Sequence, residues 1–143
     1  MTGAGAAWLL VRAGGRLVGL SLPRVVEVLQ PEAAHPVPSR EPAVRGITSV
    51  RGRLLPVVHL GALLEGAACP TVRSETAVVV EVGARRICLE VEDAEEVLLD
   101  TGFPVPAGTT LPWASAVARH RDVLVPLLDL DALGARITET ALA

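Results

Sequence analysis

One apolar element occurs twice in this chain, and that duplication limits the folds available to it. Residues 51–64, RGRLLPVVHLGALL, read as a tight turn at Arg51, Gly52 and Arg53, an apolar strand over 54–58 and a short helical turn over 60–64. VLVPLLDLDAL, residues 123–133, repeats it: an offset of 70 pairs Leu54 with Leu124, Pro56 with Pro126, Leu60 with Leu130, Ala62 with Ala132 and Leu63 with Leu133. A run this apolar is expected to be covered on both faces, so each copy should lie at the centre of a packed unit.

The repeat extends upstream. VRAGGR at 11–16 matches VEVGAR at 80–85 with an offset of 69, which also pairs Val18 with Ile87, Leu20 with Leu89, Leu22 with Val91, Glu27 with Glu96 and Val28 with Val97. Pro-Val-Pro at 36–38 returns at 104–106. Blocks kept in one order at a nearly constant offset point to an internal duplication. Gly14-Gly15 and Gly83-Ala84 are hairpin signals between apolar segments. Val25, Val28 and Leu29, following Pro23, fall at helical spacing, and residues 113–118 read as one helical turn. Asp129 is placed to cap the turn at 130–133, with Gly134 ending it.

A unit of about 70 residues holds about five short strands, which can close into a small barrel and hide their edges. The expected fold is all-β with short helical turns: two pseudo-repeated five-stranded barrels packed together. They form one domain over 8–134, with halves near 8–66 and 75–134 and an exchange of strands between them left open. Residues 1–7, expected to fray, and 135–143 are tails, and 66–74 read as a linker.

Composition narrows the function. Half of the 143 residues are apolar, yet the aromatics are only Trp8, Phe103 and Trp113, so the core should be aliphatic. A net charge of −3 gives no electrostatic reason to expect nucleic acid. Cys69 and Cys88 fit no disulfide framework or metal spacing and read as reduced thiols, Cys88 as a small core residue. No signal peptide is recognised, and the longest apolar runs fall far below the roughly 20 residues that span a bilayer. A soluble cytoplasmic protein without membrane insertion is expected.

No catalytic constellation emerges. His35, His59 and His120 lie apart and in no metal motif, and His59 occupies the place of Asp129, where capping or packing suits it better than catalysis. No serine sits in a nucleophile elbow, and no phosphate-binding loop is present. The acidic run at 92–96 lacks calcium-loop spacing and reads as a solvated face. Charge is polarised, however. Residues 1–53 carry seven arginines against three glutamates, while 75–100 carry eight acids against Arg85 and Arg86. Such polarity suits head-to-tail pairing with a similar module, or else reflects drift between duplicated halves.

At 46–60, GITSVRGRLLPVVHL, the chain resembles the CheW-like family of bacterial chemotaxis coupling proteins, whose hallmark is a glycine, then Asn-Leu-Arg-Gly, an apolar strand with Pro, and Asp-Leu. The resemblance continues at 22–28, at 89–97 (LEVEDAEEV) and at 127–130 (LLDL), and covers about residues 8–134. It implies paired SH3-like barrels and a non-enzymatic adaptor with no cofactor and no metal. The partners it implies are the cytoplasmic tip of a methyl-accepting chemotaxis receptor and the regulatory domain of a CheA-type histidine kinase, with other CheW-like proteins as further candidates; it also implies recruitment to membrane receptor arrays. By the same resemblance, Arg51, Gly46 and Gly52 match the receptor-binding segment, and Val25 and Glu27 the kinase-binding one. An arginine beside glycine on a turn should present a free guanidinium for bidentate contact with a carboxylate, although Arg121 holds the same place in the second copy. Ser49, Val50, His59, Glu92 and Ala94 depart from the family pattern. They raise the alternative of a divergent member that binds one partner only and serves a non-swimming pathway such as surface motility.

Overall fold

The computed structural model describes residues 6–108 and 113–141. Ten strands and two helices follow in order: β1 (Ala7–Ala13), β2 (Arg16–Ser21), β3 (Val25–Leu29), β4 (Val44–Val50), β5 (Arg53–His59), α1 (Leu60–Glu65), β6 (Thr76–Val82), β7 (Arg85–Val91), β8 (Asp93–Leu99), β9 (Ala114–His120), β10 (Val123–Leu128) and α2 (Leu130–Ala141). They form two five-stranded sheets, ordered β8-β1-β2-β10-β9 and β3-β6-β7-β5-β4. Under the sequence repeat β1 corresponds to β6, β2 to β7 and so on, which makes the two orders identical. Each sheet therefore takes one hairpin from one repeat and three strands from the other. The fold is the expected pair of five-stranded barrels.

Alternation along the strands explains why the barrels pack. Leu9, Val11 and Ala13 of β1, Val18 and Leu20 of β2, Val78 and Val80 of β6, and Ile87, Leu89 and Val91 of β7 join one buried cluster shared by both sheets. Their neighbours point the other way, into separate barrel interiors: Leu10, Ala118, Val125 and Leu127 in one, and Leu55, Val57, Ala77, Val79 and Cys88 in the other. Each buried Val or Leu contributes roughly 1.5–3 kcal/mol, so the shared cluster, the largest of the three, holds the two barrels as one body. The interiors differ by a paired exchange. Where one has Ala77 and Cys88, the other has Trp8 and Gly19, and a Cβ on Gly19 would lie 2.7 Å from Leu127 and 3.4 Å from Trp8.

Four local expectations are corrected. Residues 25–29 form a strand, because Val25, Val26 and Val28 are β-branched and pair with β6; only Leu22–Arg24 around Pro23 is helical, as one 3₁₀ turn. Residues 114–120 are likewise a strand, paired with β10. The duplicated apolar run is not covered throughout, since Leu54 is 71% exposed and Leu124 51%. Gly134 does not end α2. A Cβ there would fall 2.2 Å from Val82 Cγ1, so this glycine lets the helix lie directly on β6. The capping expectation holds: Asp129 accepts from the Ala132 amide at 3.1 Å. Of the fraying expected at the N-terminus, residues 1–5 lie outside the described residues.

Gly134→Ala should destabilise the protein by about 1–3 kcal/mol in chemical denaturation, through overpacking against Val82. Val82→Ala in the same background should restore part of that loss.

Candidate functional site

The turn between β4 and β5 carries the residue singled out by the sequence. Arg51 and Gly52 both have positive φ, 50° and 79°, as a two-residue hairpin of the twist-matched kind requires. Arg121 and Asp122 repeat this geometry between β9 and β10, with φ of 50° and 64°. From its turn Arg51 reaches Glu27 on β3 through two parallel contacts, Nε to Oε2 at 2.7 Å and Nη2 to Oε1 at 2.9 Å. The expectation of a free guanidinium is thus corrected: its bidentate partner is in the same chain. The hydrogen bonds from Arg51 hold the Glu27 carboxyl below the usual glutamate range.

The second barrel makes a related contact through a single arginine hydrogen bond. Arg121 Nη2 lies 3.2 Å from Glu96 Oε1 on β8, and His120 Nε2 lies 3.4 Å from its other oxygen. Since β3 and β4 are the two edges of one sheet and β8 and β9 those of the other, each Arg–Glu pair clasps its own barrel shut. A second tie is also duplicated: backbone bridges join His35 to Ile47 and Phe103 to Val117. Gly46 serves that tie. It is buried with φ of 154°, and a Cβ there would lie 2.1 Å from the His35 carbonyl oxygen. Val25 is half-buried against the shared cluster. The structure thus brings Arg51, Gly52 and Glu27 together on one surface and gives Gly46 and Val25 packing positions.

The charge polarity seen in the sequence is largely taken up inside the chain. Arg12 pairs with Glu95 at 2.9 Å, Glu92 accepts from the Gly15 amide at 2.7 Å, and the almost fully buried Glu90 is held by Arg45. Arg45 also donates to the carbonyls of Pro70 and Val72, fixing the linker. Burial disfavours the thiolate of both cysteines: Cys88 is buried and pushed up to about 12 by desolvation, and burial also raises the half-buried Cys69. Among the described residues there is no group of three or more His, Cys, Asp or Glu able to hold a metal.

A groove of about 560 Å³ opens on the sheet that holds β4, β5 and β7, within the size range of recognition pockets. Val44 and Ile47 of β4, Leu54, Leu55 and Pro56 of β5, and Ile87 of β7 form its apolar floor, and Ile137 of α2 adds to its lining. Gly46 also lines it, and Arg53, Arg85 and Arg86 complete the rim. No carboxylate, His, Ser or Cys is among its lining residues, so it offers surface for binding and no acid–base pair. Ile137 borders it from within the core: with Leu133 it is buried in the shared cluster, and Arg136 donates to the buried Glu41 at 2.7 Å while lying 5.3 Å from the Trp113 ring centroid. Sequence reasoning missed this groove. The available signal was Leu54, a large apolar residue next to a turn arginine, but a helix expected to stop at Gly134 hides Ile137.

These features define a double-barrel module with an apolar groove at one sheet. A family model for the CheW-like domain matches residues 7–137, and the chain belongs to that family. Among solved structures it is similar to the scaffolding protein TtCheW from Thermoanaerobacter tengcongensis, with a TM-score of 0.77, 21% identity, and coverage of 90% of this chain and 87% of that one. No curated protein matches the sequence. The family's proteins are scaffolds rather than enzymes, and no helix among the described residues is long and apolar enough to cross a membrane.

His59 provides a pH test of the site's frame. Its Nδ1 accepts from the Ala62 amide at 3.0 Å, as Asp129 does for Ala132, and desolvation lowers its pKa despite the nearby glutamates Glu90, Glu92 and Glu65. A folded pKa below the ordinary imidazole value near 6.5 means full stability above that pH and loss as the pH falls through and below it. Thermal melts should therefore show stability declining on acidification from pH 7 to about 5. His59→Asp should flatten that decline, since a carboxylate stays charged there.

Proposed function

We propose that the chain is a non-enzymatic adaptor coupling chemoreceptors to a CheA-type histidine kinase within a chemosensory array. The observation that carries this reading is the presence of two unlike kinds of surface on one pair of packed barrels. One is the clasp face of β3, with Glu27 beside Val28, which is 46% exposed; its counterpart on β8 has Glu96 beside Val97, 50% exposed. A face that recurs in a duplicated barrel suits a partner of the same architecture, which favours the CheW-like regulatory domain of the kinase. Glu27 belongs to that face, with Val25 as the inward residue that fixes the strand.

The other surface is the groove, whose mouth carries Arg53 where the second barrel has Val123. It is suited to a segment inserted from a different partner, which favours the cytoplasmic tip of a methyl-accepting receptor. Gly46 lines it, and the Arg51-Gly52 turn leads into it through Arg53 and Leu54. TtCheW, similar in fold, is described as a scaffolding protein. Recruitment to membrane arrays follows, on this reading, from binding receptors.

One observation favours a second reading. Arg51 is already bound bidentately by Glu27, so a receptor carboxylate would have to compete for it. A member that binds the kinase alone and modulates a pathway such as surface motility fits that geometry.

Pull-down with receptor and kinase as separate baits tests both. Capture by both supports the coupling adaptor, capture by the kinase alone supports the second reading, and capture by neither removes both. Arg51→Ala should weaken receptor binding by roughly tenfold if the turn is a hot spot, with an unchanged circular dichroism spectrum. Unchanged receptor affinity would confine Arg51 to its clasp.

A further inference from the structure

The rim of the groove carries more information than its floor. Arg86 is answered by Glu81 at 3.3 Å. Arg53 and Arg85 are exposed, and neither forms an ion pair with a carboxylate among the described residues. The parallel register of β5 and β7, Val57 opposite Cys88, brings the starts of both strands to the same end of the sheet, so these two cations flank one mouth. Repeat-related positions carry Val123 and Arg16, so the second barrel lacks this pair. Ten of the lining residues are uncharged and the three charged ones are all arginines.

The backbone restricts how a partner can enter. β4 is an edge strand, but at Ile47 its amide donates to the His35 carbonyl and its carbonyl accepts from the His35 amide, at 2.9 and 2.7 Å. Strand addition is blocked there, so recognition must run through side chains. An amphipathic helix does this by placing apolar residues at i, i+3, i+4 and i+7 on an apolar floor. Its flanks would then meet the arginines.

We propose that the groove selects an acidic amphipathic helix, with Arg53 and Arg85 as the residues that determine this specificity. The inference rests on the groove being the receptor-side surface of the adaptor. It names the chemistry of the segment received: leucine-like anchors on one face and carboxylates along the flanks. Two unanswered cations at one mouth attract such a segment and repel a basic one, a contrast that sets partner choice and on-rate more than total affinity.

The test uses the full chain and two fluorescent designed helices of about four turns that share one leucine face and carry either Glu or Lys on the flanks. In anisotropy titrations the Glu peptide should bind about tenfold or more tightly than the Lys peptide at low salt, and the preference should shrink towards about 0.5 M salt. Arg53→Glu with Arg85→Glu should reverse the preference, and the milder Arg53→Gln with Arg85→Gln should abolish it, both with the melting curve unchanged. Leu54→Ser should weaken both peptides together. Equal binding of the two peptides, no binding of either, or a preference that survives the double reversal would overturn the inference. In receptor pull-downs the double reversal should remove receptor capture and keep kinase capture. Intact receptor capture by that variant overturns the acidic specificity and leaves the adaptor reading standing, whereas failure of the unaltered chain to capture any receptor strikes the adaptor reading, with the peptide contrast still deciding the chemistry of the groove.

Discussion

The structure depends on one apolar face that neither barrel can cover alone. Five short strands around a few Val and Leu side chains give each barrel a thin interior: Leu10, Ala118, Val125 and Leu127 on one side, Leu55, Val57, Ala77, Val79 and Cys88 on the other. The opposite faces of β1, β2, β6 and β7 are just as apolar and would meet water in a lone barrel. Packing them together creates the larger shared cluster and makes the pair of barrels the smallest stable unit. Exchange of hairpins between the repeats has the same consequence, because neither sheet can form from one sequence repeat alone.

Duplication also separates what each residue does for architecture from what it does for recognition. A feature present in both copies is explained by the barrel: the Arg51–Glu27 and Arg121–Glu96 clasps, the His35–Ile47 and Phe103–Val117 bridges, and the caps made by His59 and Asp129. Exposed ion pairs such as these clasps add little stability. They set where the edges meet, and so fix the position of the turn that carries Leu54 or Leu124. The barrel interiors differ too: Trp8 packs over Gly19 where the other barrel has Ala77 and Cys88, and a Cβ on Gly19 would meet Leu127 and Trp8.

The sequence made the repeat legible because strand faces and hairpin turns are local patterns. Leu9, Val11 and Ala13 alternate with Leu10, Gly14-Gly15 marks its turn, and the relation of His59 to Asp129 already pointed to a cap. Local spacing misled at 25–29, where Val25, Val28 and Leu29 fit a helix as well as a strand; pairing with β6, a contact between distant residues, decides between them. Gly134 misled for a related reason. As a local signal it ends helices, but here its missing side chain answers Val82, more than fifty positions away. Arg51 and Glu27 were both singled out, yet nothing local showed that they bind each other.

The most informative places are therefore those where the repeat fails. α1 has 6 residues and ends at Gly66 in the left-handed conformation, whereas α2 has 12 and passes the equivalent point because Gly134 fits against Val82 and Arg136 is held by the buried Glu41. That extra length adds Ile137 to the shared core at the border of the groove on β4, β5 and β7. The same end of the sheet gains Arg53, where the other barrel has Val123. The duplicated scaffold thus differs between its barrels in one helix and in two rim charges, since Val123 and Leu17 stand where the groove has Arg53 and Arg86.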